Sequence, residues 1–203
     1  MSQPNEVWVS DLTYLRTDEG FLYLSLVTDK YSRKVVGYHC GDTLEAEGCI
    51  QALGMALKDL PARSHPIHHS DQGSQYCCHA YVNALAVRGL TISMTERDHC
   101  AENALAERMN GILKSEYGLG QKIKTKVQAR QLVDQGVQLY NDRRPHTALD
   151  YRTPAAVHNL RGSTRSCAAS RLRSGSQTRL RSAAKRRNPT ATIKTTPHDN
   201  VTN

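Results

Sequence analysis

The hydrophobic period first changes near residue 43 of this chain of 203 residues, and that change fixes what can be layered on what. Over the first forty residues the period is two. Val7, Val9, Asp11 and Thr13 alternate with Trp8, Ser10, Leu12 and Tyr14, as in a strand whose side chains go to opposite faces. Asp18, Glu19 and Gly20 form a polar turn before a second run over 21–28, rich in aromatic and β-branched residues. Residues 29–33 turn the chain again, and 34–40 make a third short strand. Three runs joined by short connections predict an antiparallel meander. From residue 43 the period lengthens to that of a helix. Leu44, Ile50, Leu53 and Leu57 fit a helix over 43–60, capped by Asp42 or Thr43 and closed before Pro61. A strand over 67–71, a helix over 80–88, a strand over 90–94 and helices over 102–117 and 127–142 follow. That order predicts an α/β domain with the meander first and crossovers after it.

Charge divides the chain at a different place. Residues 161–203 hold ten Lys or Arg and one acid, Asp199, which leaves seventeen bases against eighteen acids in residues 1–160. The excess positive charge that favours a polyanion therefore sits in the tail. That tail is Arg, Ser, Thr and Ala with few large apolar side chains, too few to offset the entropy of ordering it. The reading is a core over 1–158 and a disordered basic tail over 159–203. No run approaches the ~18 apolar residues of a membrane span, and no basic segment leads an apolar run at the N-terminus. We therefore expect a cytoplasmic protein without a membrane partner. The six cysteines, two of them adjacent, contain no C-x-x-C pair, so reduced thiols at packing positions are expected rather than disulfides or zinc.

Three acids stand out. Asp11 falls mid-strand among apolar neighbours, where an ionised carboxylate needs a partner or a cation; an edge-strand aspartate would look the same. Asp71 ends the fourth strand in His68-His69-Ser70-Asp71-Gln72-Gly73-Ser74, where α/β sheets gather ligand groups, although an Asx turn would also stop the strand there. Glu107 lies on the 102–117 helix off the Leu105, Met109, Ile112 stripe, with Asn103, Asn110 and Lys114 as neighbours, a face that also suits plain solvation. Taken together, three carboxylates converging on one sheet edge would hold two divalent cations, magnesium by preference and manganese as a substitute. His68 and His69 point to opposite faces of a strand, so packing and hydrogen bonding are expected of them rather than shared ligation. Asp29 in its turn and Glu102 in a first helical turn read as structural acids.

Thirty-five residues separate Asp71 from Glu107, and Lys114 follows seven positions later. This resembles the D,D(35)E (DDE) core of the retroviral-integrase superfamily, specifically the catalytic domain of bacterial insertion-sequence transposases. The resemblance runs from Trp8 to about Val157. Its blocks are 8–14 (WVSDLTY), 29–33 (DKYSR), 68–76 (HHSDQGSQY), 102–114 (ENALAERMNGILK) and 140–146 (YNDRRPH), in order and at family spacing. It implies a ribonuclease-H-like mixed five-stranded sheet, three antiparallel then two parallel strands, flanked by helices. It also implies that Asp11 and Asp71 hold one magnesium ion while Asp11 and Glu107 hold a second. Lys114 and Asn110 would face the transposon end, and Arg143, Arg144 and His146 would touch DNA or another subunit. The implied reaction nicks a transposon end and then joins the freed 3′-hydroxyl to target DNA, with no covalent enzyme intermediate. A homo-oligomer, at least a dimer, is implied by the need to hold two ends.

Related transposases place a helical DNA-recognition region before the first strand, whereas seven residues precede Trp8 here. That recognition module is therefore expected to be either lost or encoded separately, in the second case as a helix-turn-helix partner. A catalytically idle remnant that binds DNA through its tail or regulates an intact transposase, and a stand-alone nuclease of the same fold, are the rival readings.

Overall fold

The computed structural model describes residues 1–95 and 104–160, which fall within one compact unit, Met1–Gly162. Its elements in chain order are β1 (Val7–Thr17), β2 (Gly20–Asp29), β3 (Val35–Gly41), α1 (Ala46–Lys58), β4 (Ile67–Ser70), α2 (Ser74–Cys77), α3 (His79–Val87), β5 (Thr91–Met94), α4 (Ala104–Glu116), α5 (Lys126–Arg143), a 3₁₀ turn (Thr147–Leu149) and α6 (Pro154–Asn159). The strands form a single five-stranded sheet in the order β3-β2-β1-β4-β5. β1 pairs antiparallel with β2, and β2 with β3; β1 pairs parallel with β4, and β4 with β5. The expected meander, crossovers and mixed sheet are all present.

The period-two alternation of the hairpin sorts its side chains into two cores. Leu15 of β1 and Leu22, Leu24 and Leu26 of β2 pack with Met109 and Leu113 of α4 and Val133, Val137 and Tyr140 of α5. Trp8 and Val27 go to the opposite face, against Cys49, Ala52, Leu53 and Ala56 of α1 and Tyr81 and Leu85 of α3. Each fully buried leucine contributes about 1.5–3 kcal/mol from the area it removes from water. Gly37 of β3 sets how closely α1 can lie on the sheet. A Cβ there would stand 2.9 Å from the Ala56 Cβ, and only hydrogen fits.

Three local expectations need correction. α1 begins at Ala46 rather than 43, behind Glu45, and no side chain caps it. Asp42 is committed elsewhere, to ion pairs with Lys126 at 2.8 Å and with Arg130. The first parallel strand stops at Ser70, which leaves Asp71 just beyond it. α2, the 3₁₀ turn and α6 were not anticipated, because each is too short to show a period. α6 nevertheless carries two sequence signals, Thr153 as a cap bonded to the Ala156 N–H and Pro154 in the first turn. It runs to Asn159. Glu102 and Asn103, the basic tail from 161 onward, Cys100 and Cys167 lie outside the described residues; the four described cysteines are free thiols.

Candidate active site

The sheet changes from antiparallel to parallel pairing at β1, and the candidate acids gather at that switch. The parallel register runs Val7–Ile67, Trp8–His68 and Val9–His69. Asp11 follows the last of these pairs by two residues along β1, and Asp71 follows it by two residues just past the end of β4, so both leave the same end of neighbouring parallel strands. Ligand sites in open α/β sheets form at such a switch, outside the carboxyl ends of the parallel strands.

Asp11 is half-buried, and its carboxylate is held from two sides. The Leu12 N–H donates to Oδ1 at 2.9 Å, and the Asn110 amide donates to Oδ2 at 2.7 Å. Burial raises its pKa above the usual carboxylate range. Those two hydrogen bonds oppose the shift, and repulsion from Asp71 and Glu107 adds to it. The three carboxylates therefore share one field although they come from β1, the end of β4 and α4. Asp71 is exposed, and its Oδ1 accepts the Gly73 N–H at 3.0 Å in an Asx-type turn. A Cβ on residue 73 would stand 3.0 Å from that same oxygen, so the turn is tight at this glycine.

α4 supplies the remaining groups from one stripe, Glu107, Asn110 and Lys114 at helical positions i, i+3 and i+7. Glu107 is exposed. Asn110, expected to face DNA, is only 6% exposed and is spent on Asp11, so its visible part is that of a positioning residue. Lys114 donates from Nζ to Thr13 Oγ1 at 2.6 Å and stands 4.9 Å over the Tyr14 ring. The stripe looked like a solvated face in the sequence because nothing local shows that β1 runs beneath it.

The donor set fits a hard divalent cation: three carboxylates, none of them in an ion pair among the described residues, beside an Asn110 Oδ1 that is buried without a partner. The side chains are not drawn together as a finished cage. Among the described residues no group of three His, Cys, Asp or Glu is arranged to hold a metal ion. Like charges at this range repel, which keeps the carboxylates apart unless a cation offsets the repulsion.

The other expected residues fall as follows. Arg144 forks onto Glu116 at 2.7 and 2.6 Å, and with Arg33, Arg108, Tyr140 and His146 it lines a cleft of about 290 Å³. Burial and these three arginines push the His146 pKa down to about 4. Arg143 is exposed at the end of α5. Asp29 is not a solvated turn acid: it is fully buried and accepts from the Asn5 N–H, the Ser32 N–H and the Ser32 hydroxyl, each at 2.7 Å. His68 and His69 diverge as expected. His69 meets Ser93 and Thr95, and His68 is buried between the Ser10 and Tyr81 hydroxyls, both 2.8 Å from its Nε2. This buried contact, one residue before Asp11 and three before Asp71, was not foreseen as a unit, because its members come from three elements.

Two family models described as integrase core domain match residues 1–100 and 88–154. Among curated relatives, the chain is 38% identical over 154 residues to an uncharacterized 31 kDa protein of insertion element IS600 from Shigella sonnei, covering 75% of this chain and 57% of that protein. It is 35% identical over 160 residues to the transposase for IS904 from Lactococcus lactis subsp. lactis, covering 74% and 60%. It is 33% identical over 158 residues to a putative transposase for IS150 from Escherichia coli, covering 78% and 56%. The chain thus spans a little over half the length of these relatives. In fold it is similar to the HTLV-2 integrase catalytic core domain solved in complex with magnesium, with a TM-score of 0.61 at 19% identity, covering 77% of this chain and 98% of that one. It is also similar to a chain of a simian T-cell lymphotropic virus intasome, with a TM-score of 0.66 at 18% identity, covering 95% and 61%. With both models, each described as integrase core domain, laid along residues 1–154 and proteins of insertion sequences as relatives, the chain belongs to the integrase-core family.

Proposed function

We propose that the chain cuts and joins DNA at the ends of a mobile element by metal-assisted phosphoryl transfer, with Asp11, Asp71 and Glu107 as its catalytic carboxylates. The observation that carries this reading is Asp11. Its half-buried carboxylate is repelled by two further acids and held in place by Asn110, an arrangement unfavourable for folding and suited to cation binding. Asp11 and Asp71 would hold one magnesium ion, and Asp11 and Glu107 a second, with manganese as a substitute. Bound there, the ions offset charge on the attacking and leaving oxygens of an in-line displacement. Asn110 fixes the Asp11 rotamer. Lys114, free of any acidic partner among the described residues, offers a point charge to a phosphate beside the acids. Arg143 and His146 belong to a second basic region that would meet DNA or another subunit, and Arg144 joins it only by sharing its fork with Glu116. Assembly as at least a dimer on transposon ends and target DNA belongs to this reading, since the HTLV-2 integrase core is solved in dimeric and trimeric forms.

The test uses a DNA duplex carrying the element's own terminal repeats. The full chain should nick it, and join the freed 3′-end to a second duplex, only with magnesium or manganese present. Glu107→Gln should reduce both steps by roughly a hundredfold or more while the circular dichroism spectrum and melting temperature stay within error of the parent. Activity that survives this substitution removes the assigned site. Cleavage of any duplex without strand joining supports a nuclease instead. Salt-sensitive, metal-independent binding alone supports an idle remnant.

A further inference from the structure

The β1–β2 hairpin carries a surface that the acids do not explain. The strand register sets Tyr14 opposite Tyr23 and Arg16 opposite Phe21. All four side chains belong to the sheet face that carries Trp8 and Val27, but they lie beyond the helices that cover those residues. Together they line a shallow groove of about 290 Å³. Tyr14 is 55% exposed and Phe21 50%, and their rings meet edge to face with centroids 5.6 Å apart. Exposing two such rings side by side is unfavourable unless something covers them.

The surrounding charge says what would cover them. Lys114 stands 4.9 Å over the Tyr14 ring, and Arg16 lies within the groove; neither has an acidic partner among the described residues. Flat apolar rings interleaved with unpaired cations match a polyanion that also presents flat apolar faces. Tyr14 follows Asp11 by three residues, about 10 Å along β1, and leaves the opposite sheet face, so what links the groove to the acids is Lys114. Lys114 stands on the same helix stripe as Glu107 and touches both Thr13 and Tyr14, so it joins the two regions.

We infer that Tyr14 and Phe21 form a stacking platform for unpaired bases of the DNA whose backbone is held at the acids, with Arg16 and Lys114 receiving the flanking phosphates. The inference rests on the proposed DNA-cutting function for its choice of ligand, but binding alone tests it. A paired duplex hides its base faces, so the platform distinguishes frayed or single-stranded DNA next to a cut site from intact duplex.

The experiment measures fluorescence anisotropy of the full chain, in EDTA, with a labelled blunt duplex and with the same duplex ending in a four-nucleotide unpaired segment. The unpaired segment should tighten binding. Phe21→Ala and Tyr14→Ala should each remove about tenfold of that affinity, whereas blunt-duplex affinity should change less than about twofold. Tyr14→Phe should bind as the parent does, because it keeps the ring. Iodouracil in the unpaired segment should crosslink to the 14–23 hairpin. Equal binding of both DNAs by parent and alanine variants overturns the platform and leaves the catalytic proposal standing. Alanine variants that instead become monomers by analytical ultracentrifugation, with unchanged DNA preference, overturn it in favour of an interface between two copies. Loss of metal-dependent cleavage in the parent, with the unpaired-DNA preference intact, overturns the catalytic proposal and leaves the platform.

Discussion

At the residue scale, Asp11 is held where it disfavours folding. A carboxyl whose pKa is raised in the fold contributes stability below its ordinary pKa and loses it as the pH rises through the raised value. At neutral pH the ionised side chain therefore works against the fold. Asp11→Asn should raise the unfolding free energy read by urea titration in EDTA at pH 7 by about 1 kcal/mol, while removing activity. Asn110 can accommodate the new amide by turning over, since its Oδ1 has no partner. A fall in stability would show that Asp11 is a structural acid. The sequence pointed to this residue because a carboxylate in an alternating strand is conspicuous. It could not expose Asp29 in the same way, since the groups that bury that side chain come from Asn5, Ser32 and the neighbourhood of His158, which no local pattern connects.

At the element scale, the site depends on how β1, β4 and α3 are fastened behind the acids. His68 on β4 lies between Ser10 on β1 and Tyr81 on α3, and burial together with His69 pushes its pKa down to about 4. A histidine depressed in the fold contributes stability that is complete above pH ~6.5 and lost as the pH falls toward 4. Between those limits the loss is up to roughly 3 kcal/mol. His68→Gln should be less stable than the parent at pH 7.5, and the gap should narrow as the pH falls to 4.5, as read by urea unfolding at each pH. A constant gap would mean that the ring is not buried in its neutral form. Element types were legible wherever a period had room to show, as in β1, β2, α4 and α5. Helix starts were less so: Asp42 looks like a cap for α1, yet Lys126 and Arg130 from α5 claim it. Tertiary ion pairs of this kind are invisible to a reading by nearest neighbours.

At the scale of the whole molecule, the mixed sheet brings together acids that stand sixty and thirty-six positions apart in the chain, at the one strand where pairing changes sense. The number of strands and their order of appearance followed from the change in period. Convergence of the acids followed only from family spacing, because periodicity places a residue on a face and says nothing about which faces meet. The central claim is that Asp11, Asp71 and Glu107 form one cation site despite their mutual repulsion. Thermal unfolding of the full chain with and without manganese tests it most directly. The parent should melt several degrees higher with millimolar manganese, since a ligand bound only by the fold stabilises it. Asp11→Asn, Asp71→Asn and Glu107→Gln should each lose most of that rise. A parent unmoved by manganese, or variants that keep the full rise, would contradict the claim.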